Sequence, residues 1–227
     1  GAVNNTINKK DVVVCAAGSL PGDLHKLWRT KDPKGFHLEY GYSCMGYEIA
    51  GGLGIKMACP NREVYVMVGD ASYLMLSQEI ITSIQENLKL NIILIDNHGY
   101  KSIGSLSRSL GSKGFGTRFS FRNKKENNDF GDNDFQEKEI KVNLAENAKS
   151  LGANVIKCEN YKDLENALKK AKEIDKTTLI YVQCDRFQEV QGYSWWEVPV
   201  AEISKMDSVN KAYKEYLDHK KNQRFYN

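Results

Sequence analysis

Five apolar, β-branched runs separated by helical patterns restrict this chain to a small set of folds. The runs are Val12–Ala17, Val64–Val68, Ile92–Asp96, Ala153–Cys158 and Thr178–Cys184. They are nearly continuous instead of alternating apolar with polar, the pattern of strands covered on both faces in a parallel sheet. Between them, Asp23–Arg29 reads as a short helix. Met45–Ala58 carries Met45, Ile49, Ala50, Leu53 and Met57 at helical spacing, and Ser72–Asn87 carries Leu74, Leu76, Ile80, Ile81 and Ile84 in the same way. Leu144–Leu151 and Tyr161–Lys172 follow, the second behind Asn160, which suits an N-cap. This order predicts a doubly wound α/β fold: a mostly parallel sheet, helices on both faces and right-handed crossovers. Gly51, Gly52 and Gly54 lower the helix propensity of Met45–Ala58. Their expected use is close packing of that helix, because GGLG is not a GxGxxG phosphate loop.

With 227 residues the chain can bury a full core. Lys and Arg number 32 against 29 acidic residues, a net charge of +3, and the Lys-Lys pairs are scattered. That balance gives no reason to expect a nucleic-acid partner. No apolar run approaches the ~20 residues of a membrane span. The five cysteines show no metal-ligand spacing and mostly lie in or beside apolar runs, which suits reduced thiols in an intracellular setting. Residues 1–10 (GAVNNTINKK) read as a linker from an upstream domain and residues 11–203 as the main domain. Residues 204–227 read as a C-terminal tail with an amphipathic helix at Met206–Lys220. A Gly/Asn-rich stretch, 103–139, lacks a period and carries Phe115, Phe119, Phe121 and Phe130. A loop of that length is expected to act as a lid or an interface.

Chemistry concentrates at two strand ends. In open parallel sheets ligands bind beyond the carboxyl ends of the strands. The run Val64–Val68 ends in Gly69-Asp70-Ala71-Ser72, and a helical pattern starts at once. The small residues allow a tight turn and a helix N-terminus suited to phosphate, yet Asp70 would repel that anion. A hard divalent cation between carboxylate and phosphate removes the conflict, and magnesium is bound in this manner. Asp in this place also serves as a plain N-cap. The next strand end favours the metal, because Ile92–Asp96 runs into Asn97-His98-Gly99. If the two strands are neighbours, Asp70, Asn97 and the Gly99 carbonyl converge.

Gly69-Asp70-Ala71-Ser72 with Asn97, 97 − 70 = 27 positions after Asp70, resembles the signature of thiamine-diphosphate enzymes, a GDG followed by an Asn-Asn-like pair. Ala71 stands at the usual third glycine and His98 at the usual second Asn. Met45, 70 − 45 = 25 positions before Asp70, matches the apolar wedge that bends the cofactor into a V in this family. The resemblance implies thiamine diphosphate and magnesium as cofactors. It places Gly18, Ser19, Leu20, Met45, Gly69, Ala71, Ser72, Gly99 and Tyr100 against the cofactor, and Asp70, Asn97 and Gly99 on the metal. His25, Ser102 and Ser105 are further pocket candidates.

The stretches CAAGSLPGDLHKLWRTKDPKGFHLEYGYSCMGYEIAGGLGIKMA and GDASYLMLSQEIITSIQE are similar to one branch of this family. Its members hydrolyse a ring carbon–carbon bond of a cyclic 1,2-dione in inositol catabolism, giving 5-deoxyglucuronate. This implies a cytoplasmic bacterial hydrolase, a homo-oligomer with a small-molecule dione substrate. The activating Glu of the family comes from another domain, so the resemblance implies no catalytic residue here and an N-terminal partner domain of the same polypeptide. Without that domain the chain is expected to be inactive. Two other readings stay open: a separate small subunit of a thiamine-diphosphate-dependent 2-oxoacid decarboxylase, and a non-catalytic magnesium–nucleotide-binding module.

Overall fold

The computed structural model describes residues 1–121, 138–191 and 198–224. They fall into two compact units, Gly1–Gly99 with Val142–Val190, and Tyr100–Lys141 with Gln191–Asn227.

The first unit is built on a six-stranded sheet in which every pairing is parallel, as the uninterrupted apolar runs require. Its strands are β1 (Val12–Cys15), β2 (Phe36–Leu38), β3 (Val64–Gly69), β4 (Asn91–Asp96), β5 (Asn154–Cys158) and β6 (Thr178–Gln183), ordered β2-β1-β3-β4-β6-β5. The five expected strands are present. The sixth, β2, is a three-residue edge strand paired with β1 through Val13 and Phe36, too short to leave a periodic signal. The chain leaves β1 for β2 on one side and returns to β3 on the other. The strand order therefore reverses between β1 and β3, the place where open α/β sheets form a crevice.

Successive side chains of a strand point to opposite faces, and the core divides accordingly. Val12, Val14, Val66, Val68, Ile92, Leu94 and Leu179 face one way. They meet Ile49 and Leu53 of α3 (Tyr47–Ala58), Tyr73 of α4 (Asp70–Met75), Ile80 of α5 (Glu79–Gln85), and Leu144 and Ala148 of α7 (Leu144–Ser150). Val13, Cys15, Tyr65, Met67, Ile93 and Ile180 face the other way. There they meet Ala2 and Val3 of α1 (Ala2–Thr6), Leu24 of α2 (Ser19–Leu27), and Leu168 and Ala171 of α8 (Tyr161–Glu173). Helices on both faces of a parallel sheet confirm the doubly wound α/β class. Asn160 caps α8 by accepting the Asp163 N–H at 3.0 Å.

Several boundaries differ from the sequence reading. Residues 1–10 do not run free as a linker: α1 buries Ala2 and Val3 in the second core cluster, and Lys172 donates to the Thr6 carbonyl. The expected helix over Ser72–Asn87 is two helices, α4 and α5. Its backbone opens at Leu76 (φ −151°), where Met75 and Leu76 close on Gly46. Ile80 is buried as expected, but Leu74 and Ile81 are exposed. Of the glycines of α3, Gly52 is used as expected, whereas Gly54 has nothing within 4 Å of where its Cβ would be. A Cβ on Gly52 would stand 2.4 Å from Val66 Cγ2, so only a bare backbone lets α3 lie this close to β3.

In the second unit, α6 (Lys101–Ser109) opens the stretch expected to be loop. Its Ser/Gly composition buries only Gly104 and leaves little apolar period to read. Ser120 and Glu139 then form an antiparallel bridge. Residues 122–137, with Phe130, lie outside the described residues. The expected C-terminal helix is α9 (Asp207–Lys221), which buries Val209, while Leu217 is exposed. Ser208 Oγ donates to the Gly111 carbonyl at 2.7 Å, so the segment after α6 and the start of α9 are fastened to each other.

Candidate functional site

The strands β3 and β4 are neighbours, with Gly69 opposite Ile95. Their carboxyl ends therefore bring Asp70 and Asn97 to one edge of the sheet, the condition on which the metal reading depended. Helix α4 begins at Asp70 with no intervening loop, and no side chain caps its first turn. Asp70 is 1% exposed. One of its oxygens accepts the Ala71 N–H at 2.9 Å and the other the Gly99 N–H at 2.7 Å, which folds the 97–99 turn over the carboxylate. The positive φ at Gly99 (144°) is a conformation that glycine alone adopts freely.

Asp96, 4% exposed and not singled out by the sequence reading, completes the acidic group. Its carboxylate accepts the His98 N–H at 3.0 Å and the Tyr181 hydroxyl at 2.6 Å. Burial, opposed by the Gly99 N–H but reinforced by the Asp96 carboxyl, pushes the Asp70 carboxyl up from its ordinary 3.8 to about 7. Burial and the same Asp96 carboxylate push the Tyr181 hydroxyl upward as well. The Asn97 side-chain oxygen is buried and accepts no hydrogen bond. A buried acid held against a second acid, beside an unused amide oxygen, is an arrangement short of positive charge and rich in oxygen donors. Magnesium takes such ligands, so the residues present fit it. Among the described residues no group of three or more His, Cys, Asp or Glu forms a self-sufficient metal site. A cation here would complete its shell with ligand oxygens and water.

The end of β1 supplies the neighbouring rim. Gly18 precedes α2, whose first turn also has no side-chain cap, so the N–H groups around Ser19 and Leu20 point outward from a helix N-terminus. The Leu20 side chain packs on the second core cluster, which leaves its backbone as the part able to meet a ligand.

Met45 is half-buried and belongs to no regular element. Gly46, with φ 91°, turns the chain from it into α3, and a Cβ there would press on Met75 and Leu76 at 3.2 and 3.3 Å. Ser72 was expected against the cofactor, where its hydroxyl could meet a phosphate. The structure turns that hydroxyl inward: it donates to Glu48 at 2.8 Å and accepts the Gly46 N–H at 2.7 Å. Tyr100 belongs to the second unit, where its N–H donates to Thr117 and its ring meets Phe119 edge-on. His25 lies among the rings of Phe36 and Tyr40.

Adjacent strand tips carrying an acid and an amide, next to the strand-order reversal between β1 and β3, are the layout of a diphosphate-binding α/β domain. The family model for the thiamine pyrophosphate enzyme, C-terminal TPP binding domain, matches residues 16–182, and the chain belongs to this family. Among its relatives, the 3D-(3,5/4)-trihydroxycyclohexane-1,2-dione hydrolase of Bacillus licheniformis is 44% identical over 214 residues, covering 94% of this chain and 32% of the relative. The enzyme of that name from Clostridium botulinum is 44% identical over 215 residues, with the same coverage of 94% and 32%. The Bacillus cereus protein named 3D-(3,5/4)-trihydroxycyclohexane-1,2-dione hydrolase 2 is 41% identical over 227 residues, all of this chain and 34% of the relative. This chain thus spans about a third of the length of the curated relatives it matches. The solved thiamine diphosphate-dependent 4-hydroxybenzoylformate decarboxylase of Rhodococcus jostii has a TM-score of 0.65 over 83% of this chain and 32% of its own. At 17% identity that likeness is one of fold.

Proposed function

We propose that this chain is the thiamine-diphosphate- and magnesium-binding part of a cytoplasmic 3D-(3,5/4)-trihydroxycyclohexane-1,2-dione hydrolase, a homo-oligomer that opens a cyclic 1,2-dione to 5-deoxyglucuronate. The observation that carries the reading is the buried Asp70, raised in pKa beside Asp96, with the unused Asn97 oxygen at the end of the neighbouring strand. The names of the relatives at 41–44% identity support the substrate.

Bound here, thiamine diphosphate would supply a carbanion that adds to a carbonyl and serves as an electron sink. The chain's own part is placement. Asp70, Asn97 and the Gly99 carbonyl would hold magnesium. The backbone N–H groups of Gly18–Leu20 and of Ser72 would face the diphosphate with Gly69 and Ala71 beside it, and Met45 would support the rings. Gly69 gives the strand end room for close approach, since nothing stands within 4 Å of where its Cβ would be. The proposal assigns the activating Glu to the part of its relatives that this chain does not span. It also assigns no proton transfer to the residues at hand.

Calorimetric titration of the full-length protein that carries this chain tests the reading. Thiamine diphosphate should bind only when magnesium is present, and magnesium–ATP should not compete. ATP binding in preference to thiamine diphosphate would establish a nucleotide-binding module instead. Hydrolysis of the dione by the full-length protein but not by this chain alone is the expected activity result. Turnover by the chain alone would remove the need for a second domain.

A further inference from the structure

Glu48 is a second fully buried acid, 1% exposed, and nothing in the metal site uses it. It lies in the first turn of α3, where a carboxylate has an ordinary use: it accepts the Gly46 N–H at 3.1 Å and faces the helix N-terminus. A role at the helix end would need nothing more, and such a residue would be exposed. Glu48 instead reaches 24 positions along the chain, where the Ser72 hydroxyl donates to its carboxylate oxygens at 2.8 Å. The same Ser72 oxygen accepts the Gly46 N–H, closing a ring of hydrogen bonds on the residue that follows Met45.

The two donors belong to different segments assigned to the cofactor. Gly46 follows Met45, and Ser72 completes the tip after Asp70. Resting on the proposed function, we infer that Glu48 is the positioning residue that fixes these two segments to one another and so sets where Met45 stands relative to the Asp70 tip. Met45 has no helix or strand of its own to hold it. The carboxylate has two oxygens and several acceptor sites, enough for both donors at once. Burying it is costly unless both donors are present, so the two segments can lie only where their donors meet. Glu48 touches no reacting atom in this scheme; it acts through Met45.

The test is a double-mutant cycle in the full-length protein, with Glu48→Ala, Met45→Ala and the pair. The readouts are cofactor affinity at saturating magnesium and kcat at saturating cofactor. Glu48→Ala should weaken cofactor binding by about tenfold, the lower end for removing a partner that orients a binding group, and lower kcat as well. Glu48→Gln, which keeps an acceptor oxygen, should recover most of both. If Glu48 acts through Met45, then adding Glu48→Ala to Met45→Ala should change kcat by less than about twofold, because coupled residues are not additive. Should Glu48→Ala fail to fold, Ser72→Ala takes its place in the cycle and must show the same coupling to Met45. Unchanged affinity and kcat in a folded variant, or effects that multiply in the double variant, overturn the inference. A wild-type protein that binds no thiamine diphosphate overturns the proposed function itself, a distinguishable result.

Discussion

Asp70 and Glu48 are both about 1% exposed, and burial raises the pKa of each, yet their surroundings are opposite. Glu48 is met by donors: the Ser72 hydroxyl and the Gly46 N–H. Asp70 has two N–H donors but also a second carboxyl, Asp96, which makes its charge harder to keep. A buried acid whose donors are complete is a structural joint. Under the proposed function, a buried acid turned against another acid is the one that takes a cation. The contrast separates brace from ligand where composition cannot, since both are single acidic residues beside small ones.

The largest effect that could break this contrast comes from Asp70→Asn. As a metal ligand, its loss should cost on the order of a hundredfold in magnesium-dependent cofactor affinity, at least the upper end seen for outer-shell partners. Removing a buried charge from beside Asp96 should leave the melting temperature of the metal-free protein unchanged or higher. A large fall in melting temperature would place Asp70 with Glu48, as a joint.

The pH dependence sharpens the same point. Asp70 binds its proton more tightly folded than unfolded, with its pKa raised from 3.8 to about 7. Its contribution to stability is therefore greatest below pH 4, and falls as pH rises through 7. Metal-free protein should lose melting temperature across that interval, and magnesium with thiamine diphosphate should restore it at pH 8. In Asp70→Asn the slope should shrink.

Smaller effects probe the supports on each side. Gly52→Ala forces a methyl to within 2.4 Å of Val66 on the helix that carries Glu48. It should cost about 1–3 kcal/mol in chemical denaturation, the usual range for overpacking. On the other side, Tyr181→Phe removes the 2.6 Å hydrogen bond to Asp96. A loss of about 1 kcal/mol in stability is expected, with a change in cofactor affinity well below that of Asp70→Asn.

Five of the six strands were legible in the sequence because strands buried on both faces leave unbroken apolar runs. β2 was not, since three half-buried edge residues make no pattern. The break between α4 and α5 also escaped, because the apolar spacing of Leu74, Leu76, Ile80 and Ile81 continues through it. What interrupts that helix is the approach of Met75 and Leu76 to Gly46, a contact with another part of the chain. Among the site residues, Asp70 and Asn97 stood out because each directly follows an apolar strand. Asp96 was hidden as the last residue of an apolar run and Glu48 as one more acid in a helix's first turn. Ser72 was found, but the direction of its hydroxyl was not.

The sequence by itself determined the parallel α/β architecture and the two strand tips where chemistry gathers, because periodicity and chain punctuation are local properties. Only the tertiary structure decided that β3 and β4 are neighbours, that Asp96 faces Asp70 and that Glu48 reaches Ser72. The bonds that show this join residues 24 and 29 positions apart, Ser72 to Glu48 and Gly99 to Asp70. Hydrogen bonds over such separations follow from how the sheet and its loops pack, and no local spacing records them.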